Sequence, residues 1–222
     1  MKIKKFAQSC LMIDYKNVRI LVDPGSVDYF DGLLDLWTSI NIIIVTHKHA
    51  DHCHAGVIKR IIERDNAVLY TTREVLNAYP DLKGIVVKAG DKINFSNKFS
   101  ISVTRSVHGY LPFMKDNEVK ENIGLIIDNS VNKIYITGDT LSFNNNYKCD
   151  YLFIPFSNHG ITTGIYDGLM FAKETGAKMI IPMNLEDRNY PTNQSVLIEE
   201  ADKLKLKLKI MKTSDVLEID EF

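Results

Sequence analysis

At 222 residues, with 45% hydrophobic and 25% charged side chains, the chain has the balance of a folded globular protein and not that of a disordered polymer. Lys+Arg 27 against Asp+Glu 28 leave a formal net charge of -1, so no overall field draws it to long nucleic acid or to an anionic membrane. Cys10, Cys53 and Cys149 are too few and too widely spaced for a disulfide framework, and the apolar runs fall far short of the roughly 20 residues a membrane helix needs, so a cytoplasmic protein is expected.

In chain order, 3–6, 10–14 and 18–22 read as short strands, the last two joined by a hairpin turn at Asn17. Gln8, Ser9 and Asp14 interrupt the N-terminal stretch before a secretion signal can form. The stretch 29–37 fits a core helix, with a subunit contact through Leu33, Leu34, Leu36 and Trp37 as the alternative. Residues 41–45 form a β-branched run that suits a strand buried on both faces. Segment 55–64 then places Val57, Ile58, Ile61 and Ile62 on one side at helical spacing.

Strands follow at 67–70, 85–87, 92–95, 99–107, 123–128 and 133–137, with two short helical pieces between the early ones. Their connections are too short for crossovers, which favours antiparallel neighbours. The second half reads as a strand at 151–155, a helix near 164–176, a strand at 178–182, a helix near 193–203 and strands at 206–211 and 216–219. LKLKLKI at 204–210 has the period of a strand with Leu inward and Lys in water, and lacks the interleaved aromatics of a nucleic-acid stripe. No fixed-period repeat or linker interrupts the chain, so one domain over 1–222 is expected.

The chemistry concentrates in THKHADHCH, residues 46–54, which holds four of the six histidines directly after the buried strand and before the helix. Such a turn is held by the strand and open at its tip. Imidazole ligates zinc and similar ions, and Asp adds an anionic oxygen. His47 and His49 can face one ion in an extended turn while Asp51 and His52 turn toward a second, so the spacing suggests two adjacent metals. His54 lies past this pattern, as a supporting or exposed residue, and Cys53 receives no role. Asp23, in LVDPG, fits a hydrogen bond to a histidine or to the turn.

THKHADH, together with ILVDPG at 20–25, the later His108 and IYITGDT at 134–140, resembles the metallo-β-lactamase superfamily in residue type and order over nearly the whole chain. Within it, the compact layout and IIPMN at 180–184 are most similar to the small metal-dependent hydrolases that include ascorbate-6-phosphate lactonase-like enzymes. The resemblance implies an α/β four-layer αββα sandwich with metals at the sheet edge. It also implies that His47, His49 and His108 hold a first ion, that Asp51, His52 and Asp139 hold a second, and that Asp139 bridges both. His108 as an ordinary buried or surface residue, and Asp139 as a turn cap, are the competing readings.

One position departs from that family, which places a histidine where this chain has Asn184, after Pro182-Met183. An amide oxygen is a weaker zinc donor than imidazole. Asn184 would ligate through oxygen, hydrogen-bond a bound water, or leave the place to another donor, for which His159 in FSNHG is the candidate; a substrate contact is the equal alternative for His159. Expected cofactors are therefore one or two Zn2+ ions, with Mn2+ or Fe2+ as alternatives at the second site.

The expected activity is hydrolysis of a small ester, lactone or phosphoester by a metal-bound hydroxide, with Asp51 orienting the nucleophile and carrying a proton. A phosphodiesterase or nuclease of the same fold, and a metal-dependent binding or sensing protein, are the alternatives. The partner is a small molecule, phosphorylated or not, and an oligomer remains open. Tyr110, Phe113 and Met114, with Lys115 and Lys120, lie in a loop at the expected mouth, and Ser157, Asn158, Thr162 and Thr163 offer polar groups beside a helix start where helix capping explains the threonines equally well.

Overall fold

The computed structural model describes residues 1–185 and 190–220, without the side chains of Phe113, Met114 and Asp116, so the expectations for Phe113 and Met114 lie outside the described residues. The chain divides into two compact units, residues 1–87 with 211–220, and residues 88–210.

The first unit contains β1 (Lys2–Lys5), β2 (Leu11–Tyr15), β3 (Val18–Val22), α1 (Gly32–Leu36), β4 (Ile42–Val45), α2 (Ala55–Asp65), β5 (Val68–Thr71), α3 (Arg73–Ala78) and β6 (Ile85–Val86). The C-terminal strand Val216–Glu218 adds to β1, giving a seven-stranded sheet in which β1, β2 and β3 are antiparallel and β3 to β6 are parallel. The β2–β3 hairpin closes Tyr15 on Val18 through a turn at Lys16 and Asn17, as expected, with Lys16 left-handed at φ 53°.

Strand β4 is buried at every position because it is a central parallel strand. Ile43 and Val45 join the core formed with Val57, Ile58 and Ile61 of α2, and Ile42 and Ile44 point to the opposite face and are equally covered. Helix α1 buries Leu33 and Leu34, and Trp37 beyond it packs edge-on to Phe6 at 5.5 Å, as a core element does. Of the two short helical pieces expected between the early strands of this stretch, the described residues show one, α3, between β5 and β6. Pro80 follows Tyr79 and bars continuation of the helix, and the chain to Gly84 runs as turn.

The second unit contains β7 (Lys92–Ser96), β8 (Phe99–Arg105), a 3₁₀ turn (Pro112–Asn117), β9 (Ile123–Asp128), β10 (Lys133–Ile136), β11 (Tyr151–Pro155), α4 (Ile165–Thr175), β12 (Met179–Met183) and α5 (Gln194–Lys203). Its six-stranded sheet runs β12-β11-β10-β9-β8-β7, antiparallel from β7 to β10 and parallel from β10 to β12. Leu169, Phe171 and Ala172 of α4 and Leu197 and Ala201 of α5 cover one face of it. Strand β8 stops at Arg105, short of the expected 107, because Val107 leaves β9 and bonds to Thr140 and Leu141.

Segment 204–210 alternates half-buried Leu with exposed Lys as the sequence period dictates, yet it is not the strand expected at 206–211. Ile180 donates to the Lys207 carbonyl and accepts from Lys209 N–H, making a single parallel bridge with Leu208. The next donor on β12 would be residue 182, a proline without an N–H, so the ladder cannot continue.

Candidate metal centre

In the first unit the parallel strands β3 and β4 run in register with Val22 opposite Ile44, so the residues after them, Asp23 and Thr46, emerge side by side. Asp23 is fully buried. Its Oδ1 accepts from Thr46 N–H at 2.7 Å, and its Oδ2 from the Thr46 hydroxyl at 2.9 Å and from His52 Nδ1 at 2.9 Å. This is the supporting role that LVDPG suggests.

These contacts fix the histidine tautomers. A carboxylate only accepts, so His52 carries its proton on Nδ1. The Thr46 hydroxyl spends its one proton on Asp23 and must therefore accept from His47 Nδ1, 3.1 Å away. Both rings thus keep a lone pair on Nε2, the arrangement that an anchored metal-ligating histidine adopts. A ring nitrogen of His47 lies within 4.8 Å of one on His49 and of one on His52, and ring centroids are 4.9 and 4.0 Å apart. All three imidazoles are buried.

Asp51 sits at the rim with 29% of its side chain exposed, its Oδ2 3.4 Å from His52 Nε2. A carboxylate oxygen facing an unprotonated ring nitrogen is repulsive until a cation, a proton or a metal, lies between them. Burial pushes the Asp51 carboxyl up, but the positive charge of His52 and then of His49, when those rings are protonated, outweighs it and holds the group below the ordinary carboxylate range. Lys48 points away, paired with Glu74 of α3 at 3.0 Å, and its carbonyl accepts from Tyr79 Oη at 2.9 Å. His54 stands against Tyr29 at 4.8 Å at the start of α2, where burial lowers its pKa. Burial pushes the Cys53 thiol up to about 12, which keeps it protonated when no cation is beside it.

Pro24, Gly25 and Ser26 are laced to this turn: Ser26 N–H donates to the Ala50 carbonyl at 2.7 Å and His54 N–H to the Pro24 carbonyl at 2.8 Å. A Cβ on Gly25 would fall 1.8 Å from the Asp51 carbonyl oxygen, backbone that cannot swing aside. Gly25→Ala is therefore expected to destabilise the first unit by about 3 kcal/mol and to weaken divalent-ion binding with it, as read by urea denaturation and metal titration of the same samples.

In the second unit β8, β10, β11 and β12 all point the same way, since β9 is antiparallel to both β8 and β10. His108, Asp139, the 156–164 loop and Asn184 follow these four strands and so leave the sheet at one edge. His108 Nδ1 donates to the Gly109 carbonyl at 2.7 Å, which leaves its lone pair on Nε2. Asp139 is buried after Gly138, which turns the chain at φ 63°. The Asp139 carbonyl accepts from Asn122 Nδ2 and from Ser106 Oγ, and Asn122 Nδ2 also donates to Ser106 Oγ at 2.8 Å.

Asn122 was invisible in the sequence. It precedes β9, which lies between β8 and β10, and only the strand order shows that it reaches the residues after both.

His159 is anchored in the opposite sense. Its Nδ1 accepts from Ile161 N–H at 3.2 Å, so in the neutral ring Nε2 carries the hydrogen. Asn184 is buried at φ 59°, a left-handed conformation that asparagine tolerates better than most residues. In the 108–122 segment, Tyr110 is half exposed and Lys120 pairs with Glu118 at 3.7 Å. The structure thus gathers His47, His49, Asp51 and His52 in the first unit, and sets His108, Asp139, His159 and Asn184 along one sheet edge in the second. Imidazoles held at Nδ1 with Nε2 lone pairs, beside a carboxylate, are donors that fit a divalent ion.

Among the described residues, no helix is long and apolar enough to cross a membrane. The family model described as the β-lactamase superfamily domain matches residues 2–184. A metal-dependent hydrolase of Staphylococcus epidermidis is 27% identical over 180 residues, 75% of this chain and 77% of its own. A metallo hydrolase of the archaeon Ignicoccus hospitalis matches with a TM-score of 0.80 at 18% identity over 99% of each chain. An isothiocyanate hydrolase from Delia radicum gut bacteria does so at 0.77 and 20% identity, over 98% of this chain and 99% of its own. These structural likenesses show the expected α/β fold class. With the family match running through the histidine turn and on to Asn184, the chain belongs to the metallo-β-lactamase superfamily and is a metal-dependent hydrolase of its fold.

Proposed function

We propose that the enzyme hydrolyses a small ester, lactone or phosphoester, and that its two units act as one catalytic domain over 1–222. In this reading His47, His49 and His108 would hold one ion, and Asp51, His52 and Asp139 would hold a second. The observation that carries it is the shared tautomer of His47, His52 and His108, each with an acceptor at Nδ1. Imidazole-rich donors favour zinc at the first site. The amide of Asn184 makes the second site the weaker one and opens it to manganese or iron(II).

Bound there, a divalent ion supplies Lewis acidity and lowers the pKa of water toward neutrality. Asp51 orients the attacking water by accepting its hydrogen bond, and passes a proton to the leaving oxygen. Asp23 keeps His52 and, through Thr46, His47 in the ligating tautomer. His159, with hydrogen on Nε2, serves as a donor to substrate and not as an ion ligand.

Graded chelation tests the assignment. Elemental analysis is expected to show one ion leaving well before the other, and hydrolysis of 4-nitrophenyl acetate or bis(4-nitrophenyl) phosphate to fall with loss of the ions and return when they are restored. Two equally retained zinc ions would refute the unequal sites, and turnover that survives complete stripping would refute metal-dependent hydrolysis.

A further inference from the structure

Where β9 has not yet begun, its two neighbours run on without it. Arg105 faces Ile123 across β8 and β9, and Ile136 faces Leu125 across β10 and β9, both antiparallel, so the two registers, carried past the strand ends, set Ser106 and Asp139 on either side of Asn122. The backbone ladders stop there. Val107 N–H donates to Thr140 Oγ1 at 3.0 Å and Leu141 N–H to the Val107 carbonyl at 2.7 Å, which draws the continuations of β8 and β10 directly together. Asn122 stands at the fork where three chains become two.

Its side-chain amide takes the place of the missing ladder bonds. The Asp139 carbonyl can only accept, so the atom facing it is Nδ2, and the two hydrogens of that nitrogen go to the Asp139 carbonyl and to Ser106 Oγ, the latter at 2.8 Å. The Ser106 hydroxyl spends its own hydrogen on the same carbonyl, at 3.3 Å, which is long for a hydroxyl donor. Asp139 gains no restraint from the residue before it, since Gly138, at φ 63°, carries no side chain. The hold comes from outside, and the amide is what ties the peptide after Asp139 to the chain that reaches His108 two residues beyond Ser106.

We infer that Asn122 is a positioning residue of the metal centre: it touches no ion, and by clamping the Asp139 carbonyl to Ser106 it sets the gap between the His108 and Asp139 donors. This rests on the assignment of those two residues as ion ligands in the hydrolase reading above. Groups behind the ligands that fix their orientation carry about tenfold or more of the ion affinity. An alanine at 122 leaves the Asp139 side chain in place but frees its peptide to rock about Gly138, so the effect falls on the ion more than on the fold.

Titration with Co2+ followed by visible absorption tests this, because the ligand-field bands report donor geometry and affinity together and need no turnover. Asn122→Ala is expected to bind Co2+ about tenfold more weakly than the parent and with an altered spectrum, and Ser106→Ala, which leaves the amide bond to Asp139, about threefold more weakly. Asn129→Ala is the control for a merely structural loss. Asn129 follows the other end of β9, and its Oδ1 accepts from Val131 N–H at 3.0 Å and from Asn132 N–H at 2.7 Å, so this variant also gives up two hydrogen bonds, but at the sheet edge opposite His108. Its melting temperature should fall at least as far as that of Asn122→Ala, with the Co2+ affinity and spectrum of the parent. Parental affinity and spectrum in Asn122→Ala, or the same changes in Asn129→Ala, would overturn the positioning role, and if Asn122→Ala does not fold, Ser106→Ala carries the same comparison. A parent that binds no Co2+ would overturn the metal assignment itself, and this inference with it.

Discussion

Replacing Asp51 by Ala or Asn is expected to lower hydrolysis by about a thousandfold, the scale of losing a positioned proton carrier. Circular dichroism and thermal melting should stay close to those of the parent. The side chain is partly exposed, and its contact with His52 Nε2 at 3.4 Å is not one that holds the turn together. The turn is closed by backbone, with His52 and Cys53 N–H both donating to the His49 carbonyl at 3.0 and 2.9 Å. Turnover at the parental rate in either variant would remove Asp51 from the mechanism. Parental metal content with lost turnover would also set aside a purely binding or sensing role.

Asp23→Ala should be the most damaging single change for the first unit. It strips acceptors from three buried donors at once: Thr46 N–H, the Thr46 hydroxyl and His52 Nδ1. A loss of about 3–5 kcal/mol is expected, as for breaking a buried charged network from one side. Divalent-ion affinity should fall by about 10- to 100-fold as His52 and His47 lose their fixed tautomers. Asp23→Asn is expected to be milder for the fold, because its amide oxygen still accepts one bond, but its NH2 faces donors and cannot replace the other contacts. Denaturation midpoints and metal titrations read both effects, and an unchanged midpoint in Asp23→Ala would show that the network carries no stability.

The parts of this site that are legible in sequence are those built from near neighbours. The histidine turn is local, the apolar run 42–45 announces a strand covered on both faces, and LVDPG places an acid where the adjoining parallel strand ends. What stays hidden depends on which strands lie together. Asn122 matters because β9 sits between β8 and β10. Asn184 illustrates a different limit. As a change of ligand it reads as a loss, but its left-handed backbone gives an independent reason for asparagine at that place.

Proline at 182 has an effect beyond shortening one ladder. An open sheet margin with a full row of donors invites a foreign strand to zip onto it. Here the margin offers a gap where a donor should be, and the segment alongside it turns lysines 205, 207 and 209 outward. Growth of the six-stranded sheet by recruiting another molecule on this flank is thereby blocked, through one missing hydrogen and a fringe of like charge.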